Sequence, residues 1–245
     1  MTTLSIHQSQ TCQLYWVADN VIASGFPDAA RALRDPDGLL AIGGELTPAM
    51  LLDAYERGIF PWYSSGQPIL WWSPNPRCVL ELDKLKISRS LRKTLRKEFF
   101  HVSFNRCFDR VIEACAQPRR GQKDTWLTPE MLAAYQELHQ LDHAISVECW
   151  RGEELAGGLY GIAMGKVFFG ESMFSNYPDA SKVALVYLVQ ELSRKQFRII
   201  DCQVHSRHLQ GLGATPMQRD LFVNILHHYC KPAVRYQWPA TGVLS

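Results

Sequence analysis

The chain is 245 residues long, room for one large or two modest domains at roughly 100–200 residues each. Hydrophobic residues make up 47% and charged residues 20%, which excludes a disordered chain and leaves enough apolar mass for a buried core. Twenty-six Lys and Arg against 24 Asp and Glu leave a net +2, so total charge does not single out a polyanion-binding protein.

The N-terminus, MTTLSIHQSQTCQ, has no basic start before an apolar core, so no signal peptide is expected. No apolar run reaches the ~20 residues that a bilayer span requires. Seven scattered cysteines, odd in number and without a CxxC pair, point to reduced thiols rather than a disulfide framework or a zinc site. A cytoplasmic protein without a metal is the expectation.

The opening segment is rich in Gly and Pro and carries one clear helix over 48–57. Thr47 suits the N-cap, Pro48 the first helical position and Gly58 the stop. Residues 58–77, GIFPWYSSGQPILWWSPNPR, hold four prolines and three tryptophans and read as a rigid connecting loop. Residues 84–97 then hold seven cations (Lys84, Lys86, Arg89, Arg92, Lys93, Arg96, Lys97) and no acid, so the remainder of the chain is net negative. From about Ser90 this stretch reads as a helix, with Arg89, Arg92, Lys93, Arg96 and Lys97 along one face. Such runs are ordinarily a solvated face; the self-repulsion here favours an anionic partner such as a phosphate backbone.

Further helices are predicted over 108–116 and 128–141. From residue 144 the period shortens, giving strands over 144–150, 155–163 and 166–174 with tight turns between them. An apolar helix over 180–196, a buried strand over 198–204 and a helix over 218–229 complete the chain. The fold class is α+β. Residues 1–75 are expected to form a small N-terminal α/β domain that includes the Trp/Pro-rich loop. Residues 76–245 are expected to form a mixed-sheet domain like that of N-acetyltransferases (GNAT-like).

Several chemical signatures are missing: GxxxxGK[ST], GxSxG, HExxH and a dinucleotide fingerprint. The Gly-rich pyrophosphate loop of an acyl-CoA enzyme is missing too. Three stretches stand out instead. In FFGESMFS (168–175), alternation puts Phe169, Glu171 and Met173 on one face unless a bulge near Gly170 resets the register. An ordinary edge strand accounts for these residues equally well. In IIDCQV (199–204), Asp201 and Gln203 point the same way and demand partners, as a structural pair or as a catalytic one, with Cys202 on the opposite, core face. Trp126 follows a polar, basic loop, where an aromatic suits stacking on a nucleobase; Trp62, Trp71 and Trp72 fit a core as well.

These stretches resemble the leucyl/phenylalanyl-tRNA–protein transferases. The resemblance rests on residues 26–77 with GIFPWYS and WWSP, on 125–150, on GGLYGIAMGKVFFGESMFS (157–175), on 180–188 and on IIDCQVHSRHLQGLGA (199–214). It implies transfer of Leu or Phe, and also Met, from aminoacyl-tRNA to the N-terminal Arg or Lys of a protein, marking it for N-degron proteolysis. No cofactor is implied, aminoacyl-tRNA being a substrate. The resemblance makes Asp201 and Gln203 a catalytic pair, Asp201 polarising Gln203, with Glu171 beside the reacting centre. It lines an aminoacyl side-chain pocket with Leu159, Phe168, Met173, Leu185, Leu188, Leu192 and Ile200. It places Tyr55, Trp62 and Trp126 at the terminal adenosine, and Arg89, Arg92, Lys93, Arg96 and Lys97 on the tRNA backbone. The sequence departs from the family pattern at Met217-Gln218, at Ser206 and at Leu188 and Leu192. The competing readings are an acyl-CoA-dependent N-acetyltransferase with a divergent loop and a non-enzymatic RNA-binding module.

Overall fold

The computed structural model describes residues 14–19, 25–117, 127–231 and 233–242. Four short strands, β1 (Tyr15–Val17), β2 (Leu39–Gly43), β3 (Phe60–Pro61) and β4 (Leu70–Trp72), form a sheet in the order β1-β2-β4-β3. Helix α1 (Pro48–Glu56) lies between β2 and β3, its Met50 amide capped by the Thr47 hydroxyl. The opening segment is therefore a mixed sheet with one helix, and the Trp/Pro-rich stretch supplies two of its strands. Proline at both ends of that stretch hides them, because strands of two or three residues carry no readable alternation.

The larger sheet has seven strands in the order β11-β5-β10-β9-β8-β7-β6. Its members are β5 (Arg77–Glu81), β6 (His101–Phe104), β7 (Ala144–Arg151), β8 (Glu154–Met164), β9 (Val167–Ser175), β10 (Ile199–Gln203) and β11 (Thr215–Met217). The helices are α2 (Arg89–Arg96), α3 (Phe108–Cys115), α4 (Pro129–Gln140), α5 (Ala180–Arg194), α6 (Arg207–Gly211) and α7 (Arg219–Tyr229). Ser88, Thr128 and Ser206 cap α2, α4 and α6 through their hydroxyls, as their positions before each helix lead one to expect. The predicted three-strand meander, crossover helix and returning strand are present as β7-β8-β9, α5 and β10. Strands β5, β6 and β11 extend that core at both edges.

Only β9 and β10 pair in parallel; the other neighbours in this sheet are antiparallel. One face packs against α1, α3, α4, α7 and the smaller sheet as one continuous apolar cluster. The other face buries the apolar side of α5, with Leu91 of α2 beside it. No helix among the described residues is long and apolar enough to cross a membrane.

Two irregularities shape the middle of the sheet. Opposite β8, Tyr160 pairs with Ser172 but Gly161 pairs with Gly170, so Glu171 is an extra residue in β9. Gly161 is required there, since a Cβ on it would lie 2.2 Å from the Phe169 carbonyl oxygen. The bulge resets the alternation: Phe168 and Met173 join the α5 side, while Phe169 packs on the opposite face. The shared face expected for Phe169, Glu171 and Met173 is therefore broken at Glu171. In β10 the register against β5 also shifts between Asp201 and Gln203, and Gln203 adopts φ +61°. The parallel pairing of β9 and β10 ends at Phe169 and Asp201, so the two strands part at the two bulges.

Candidate active site

Where β9 and β10 part, a cavity of about 580 Å³ opens, a size that suits a small ligand or a substrate end. Leu159, Phe168, Met173, Leu185, Leu188 and Ile200 form its apolar wall, and Glu171, Gln203, Ser172, His205, Ser206 and His208 bring polar groups to it. Six of the seven residues expected in an aminoacyl side-chain pocket thus meet in one place. Leu192, the seventh, is fully buried one turn of α5 beyond Leu188 and does not line the cavity. Cys202 packs against the apolar cluster on the α5 side, as expected, and also borders the cavity, whereas Asp201 is fully buried behind it.

The polar floor is a connected network. Gln203 Nε2 donates to Glu171 Oε1 at 2.8 Å, bridging the gap between the parted strands. The Tyr135 hydroxyl donates to Glu171 Oε2 at 2.9 Å and shares a 2.7 Å hydrogen bond with the Tyr55 hydroxyl. Tyr160, whose buried hydroxyl has no partner among the described residues, packs edge-on against Tyr135 and lines the cavity. Burial pushes the Glu171 carboxyl up to about 7, and the charge of Asp201 adds to the rise. The hydroxyls of Tyr55 and Tyr135 and the Gln203 amide oppose it. Burial likewise holds the Tyr55, Tyr135 and Tyr160 phenols well above their ordinary value.

Asp201 does not act on the Gln203 side chain. Its Oδ1 accepts the Gln203 backbone N–H at 2.9 Å and Arg77 Nε at 2.8 Å, and its Oδ2 accepts Arg77 Nη2 at 2.7 Å. Arg77 is itself fully buried, with Nη1 donating to the Gly58 carbonyl and its guanidinium between the rings of Phe60 and Phe222 at 4.7 and 4.8 Å. The expected polarisation of Gln203 by Asp201 is thus a backbone interaction that fixes the positive-φ turn, and Glu171 is the group that orients the amide. Sequence reasoning missed Arg77 and Tyr135. A charge inside the apolar run IIDCQV called for a cation, and the arginine opening the apolar run RCVL of β5 was the available signal.

Of the aromatic set, Trp62 lines the cavity with 43% of its surface exposed, and its carbonyl accepts from Trp72 Nε1. Tyr55 is fully buried against Phe169 and has no free face for a base, which corrects its expected place at an adenosine. Trp126 lies outside the described residues. On α2 and its C-cap, Arg89, Arg92, Lys93, Arg96 and Lys97 are all exposed, and none forms an ion pair with a described residue.

Among solved structures, L-PGS from Bacillus licheniformis is similar over 80% of this chain and 62% of its own, at 14% identity and a TM-score of 0.41, too slight a likeness to bear on function. Curated proteins named leucyl/phenylalanyl-tRNA–protein transferase are far nearer. That of Aromatoleum aromaticum is 59% identical over 80% of this chain and 83% of its own. That of Chromohalobacter salexigens is 53% identical over 93% and 88%, and that of Azotobacter vinelandii 54% identical over 88% and 95%. The family model described as leucyl/phenylalanyl-tRNA protein transferase matches residues 79–227, and the model of its N-terminal domain matches 44–75. With most of its length matched at this identity, the chain belongs to the leucyl/phenylalanyl-tRNA protein transferase family.

Proposed function

We propose that the cavity is where a leucyl or phenylalanyl group passes from tRNA to the α-amine of an acceptor protein. One observation carries this reading: an apolar, Met-containing pocket meets an oriented amide and a carboxyl at the gap between β9 and β10. An aminoacyl ester is already an activated acyl donor. The protein's main task is to hold ester and amine together, which can be worth roughly 7–11 kcal/mol of barrier. With Nε2 committed to Glu171, Gln203 presents Oε1 as the acceptor for an N–H of the incoming amine. No nucleophilic side chain, metal or cofactor is needed. In this reading the larger sheet is arranged as in N-acetyltransferases, with aminoacyl-tRNA in place of coenzyme A. The acceptor begins with Arg or Lys, the product enters N-degron proteolysis, and the reaction takes place in the cytoplasm.

The apolar wall favours unbranched or γ-branched side chains, and the flexible thioether of Met173 lets Leu, Phe and Met share one pocket. Met173→Ala is expected to weaken phenylalanyl transfer and to admit β-branched donors. A change of about one methylene decides ~1–3 kcal/mol, so discrimination should fall by one to two orders of magnitude. Transfer assays with separately charged tRNAs check this, and an unaltered donor ranking would remove Met173 from the specificity wall.

The exposed cations of α2 supply affinity through tRNA phosphates rather than through sequence. Reversing Arg92 and Lys93 to Glu is expected to weaken tRNA binding and to flatten the dependence of affinity on salt. Titrations at several ionic strengths measure both, and an unaltered salt slope would place the tRNA elsewhere. The function as a whole is tested by transfer of labelled Phe from phenylalanyl-tRNA to an Arg-initiated peptide, with a Gly-initiated peptide and acetyl-CoA as controls. Labelled product from the first pair alone is expected. Acetylation with no tRNA-dependent product would favour the acyl-CoA reading.

A further inference from the structure

A neutral amine attacking an ester becomes acidic as the new C–N bond forms, and it must lose a proton before the product is stable. The departing ribose oxygen must gain one. Gln203 cannot serve both ends, because an amide is a poor base and its nitrogen is already donating. Asp201 cannot serve either, since it is fully buried and both its oxygens are taken by Arg77 and the Gln203 backbone. Among the described residues, Glu171 is the one carboxylate that lines the cavity.

We propose that Glu171 carries the proton from the attacking amine to the departing ribose oxygen, the paired hydroxyls of Tyr135 and Tyr55 turning with it. This rests on the transferase reading above. The nitrogen lone pair forms the C–N bond while one N–H is held by Gln203 Oε1 and the other faces Glu171. Glu171 takes that second proton as a carboxylate. When the C–O bond to the ribose breaks, the carboxylic acid returns the proton to the leaving oxygen. The amine loses one hydrogen and the ribose gains one, so the carboxylate is regenerated and nothing further is consumed.

The surroundings of Glu171 suit a group that changes state in each turnover. As a carboxylate it accepts from Tyr135 and Gln203; as an acid it needs an acceptor, and a tyrosine oxygen can provide one. The 2.7 Å bond between the Tyr135 and Tyr55 hydroxyls can run in either direction, so Tyr135 can turn its proton to Tyr55 when Glu171 becomes the donor. The ionisable groups facing Glu171 are Tyr55 on α1, Tyr135 on α4, Tyr160 on β8 and Asp201 on β10, the last matched by Arg77 on β5. Burial holds all three phenols neutral, whereas Glu171 can change charge near neutral pH. Its value of about 7 is well placed for giving and taking a proton there.

The test is the pH dependence of single-turnover peptide-bond formation, with phenylalanyl-tRNA and an Arg-initiated peptide both saturating. In the wild type, Glu171 and the α-amine (ordinarily about 7.7–8.0) must both be unprotonated. The logarithm of the rate should therefore rise with a slope near two below pH 7. Glu171→Gln keeps the shape and should lower the plateau about 10²-fold or more, with an acidic limb of slope near one. Tyr135→Phe removes a donor that favours the carboxylate, so it should move the Glu171 step to higher pH and leave two ionisations in place. A Glu171→Gln defect confined to KM for the peptide, or a slope that survives the substitution, overturns the proposal and makes Glu171 a binding group. Should Glu171→Gln fail to fold, an unshifted Tyr135→Phe profile overturns it. Failure of the wild type to form any product removes the transferase reading itself, so the two failures are distinguishable.

Discussion

Replacing Arg77 with Met is expected to lower folding stability by about 3–5 kcal/mol, the usual consequence of leaving one charge of a buried pair uncompensated. Both side chains of the Arg77–Asp201 pair are fully buried, so water cannot take over the lost contacts. Arg77 also fastens the Gly58 carbonyl and lies between Phe60 and Phe222, tying the turn after α1 and helix α7 to strand β10. Urea unfolding would show a lower midpoint with an unaltered slope. The double variant Arg77→Met with Asp201→Leu should regain most of the loss, because it removes both charges together. Stability within about 0.5 kcal/mol of the wild type in Arg77→Met, the range of an ordinary surface change, would show that the pair is not the buried clamp described here.

Gln203→Ala should have the second large effect, on rate. The substitution removes the amide that bridges the parted strands and presents Oε1 to the amine. Misplacing a reacting group by about 1 Å can cost 10²-fold, so single-turnover transfer is expected to fall by at least about that factor. Binding of phenylalanyl-tRNA should be nearly unchanged, because the apolar wall and the cations of α2 remain. Parallel binding and transfer assays separate the two. Lost binding with an unchanged rate constant would make Gln203 a docking residue.

How much of this was legible in the sequence follows from the reach of each signal. Helices α1 and α4 announce themselves locally, by Thr47-Pro48 and Thr128-Pro129 at their starts, and β7 to β9 by their length and tight turns. Strands β1, β3, β4 and β11 have two or three residues each, and their existence depends on partners distant in the chain. The site divides in the same way. Leu159, Phe168, Met173, Leu185, Leu188 and Ile200 come together because each obeys a local period once the bulge at Glu171 is included. The bulges themselves are invisible to alternation: Ile200 and Cys202 keep one face and Asp201 the other, and only the register shift after Asp201 brings Gln203 to the cavity side. Arg77 and Tyr135 could be assigned only after the fold brought them to Asp201 and Glu171, across 124 and 36 residues of chain.

The pocket assignment is tested most directly by a crystal structure with a non-hydrolysable phenylalanyl-adenosine. The benzyl group is expected against Phe168, Met173 and Leu185, with the carbonyl carbon facing Gln203 Oε1 and Glu171. Density for the analogue at any other surface, with this cavity empty at saturating ligand, would contradict the account.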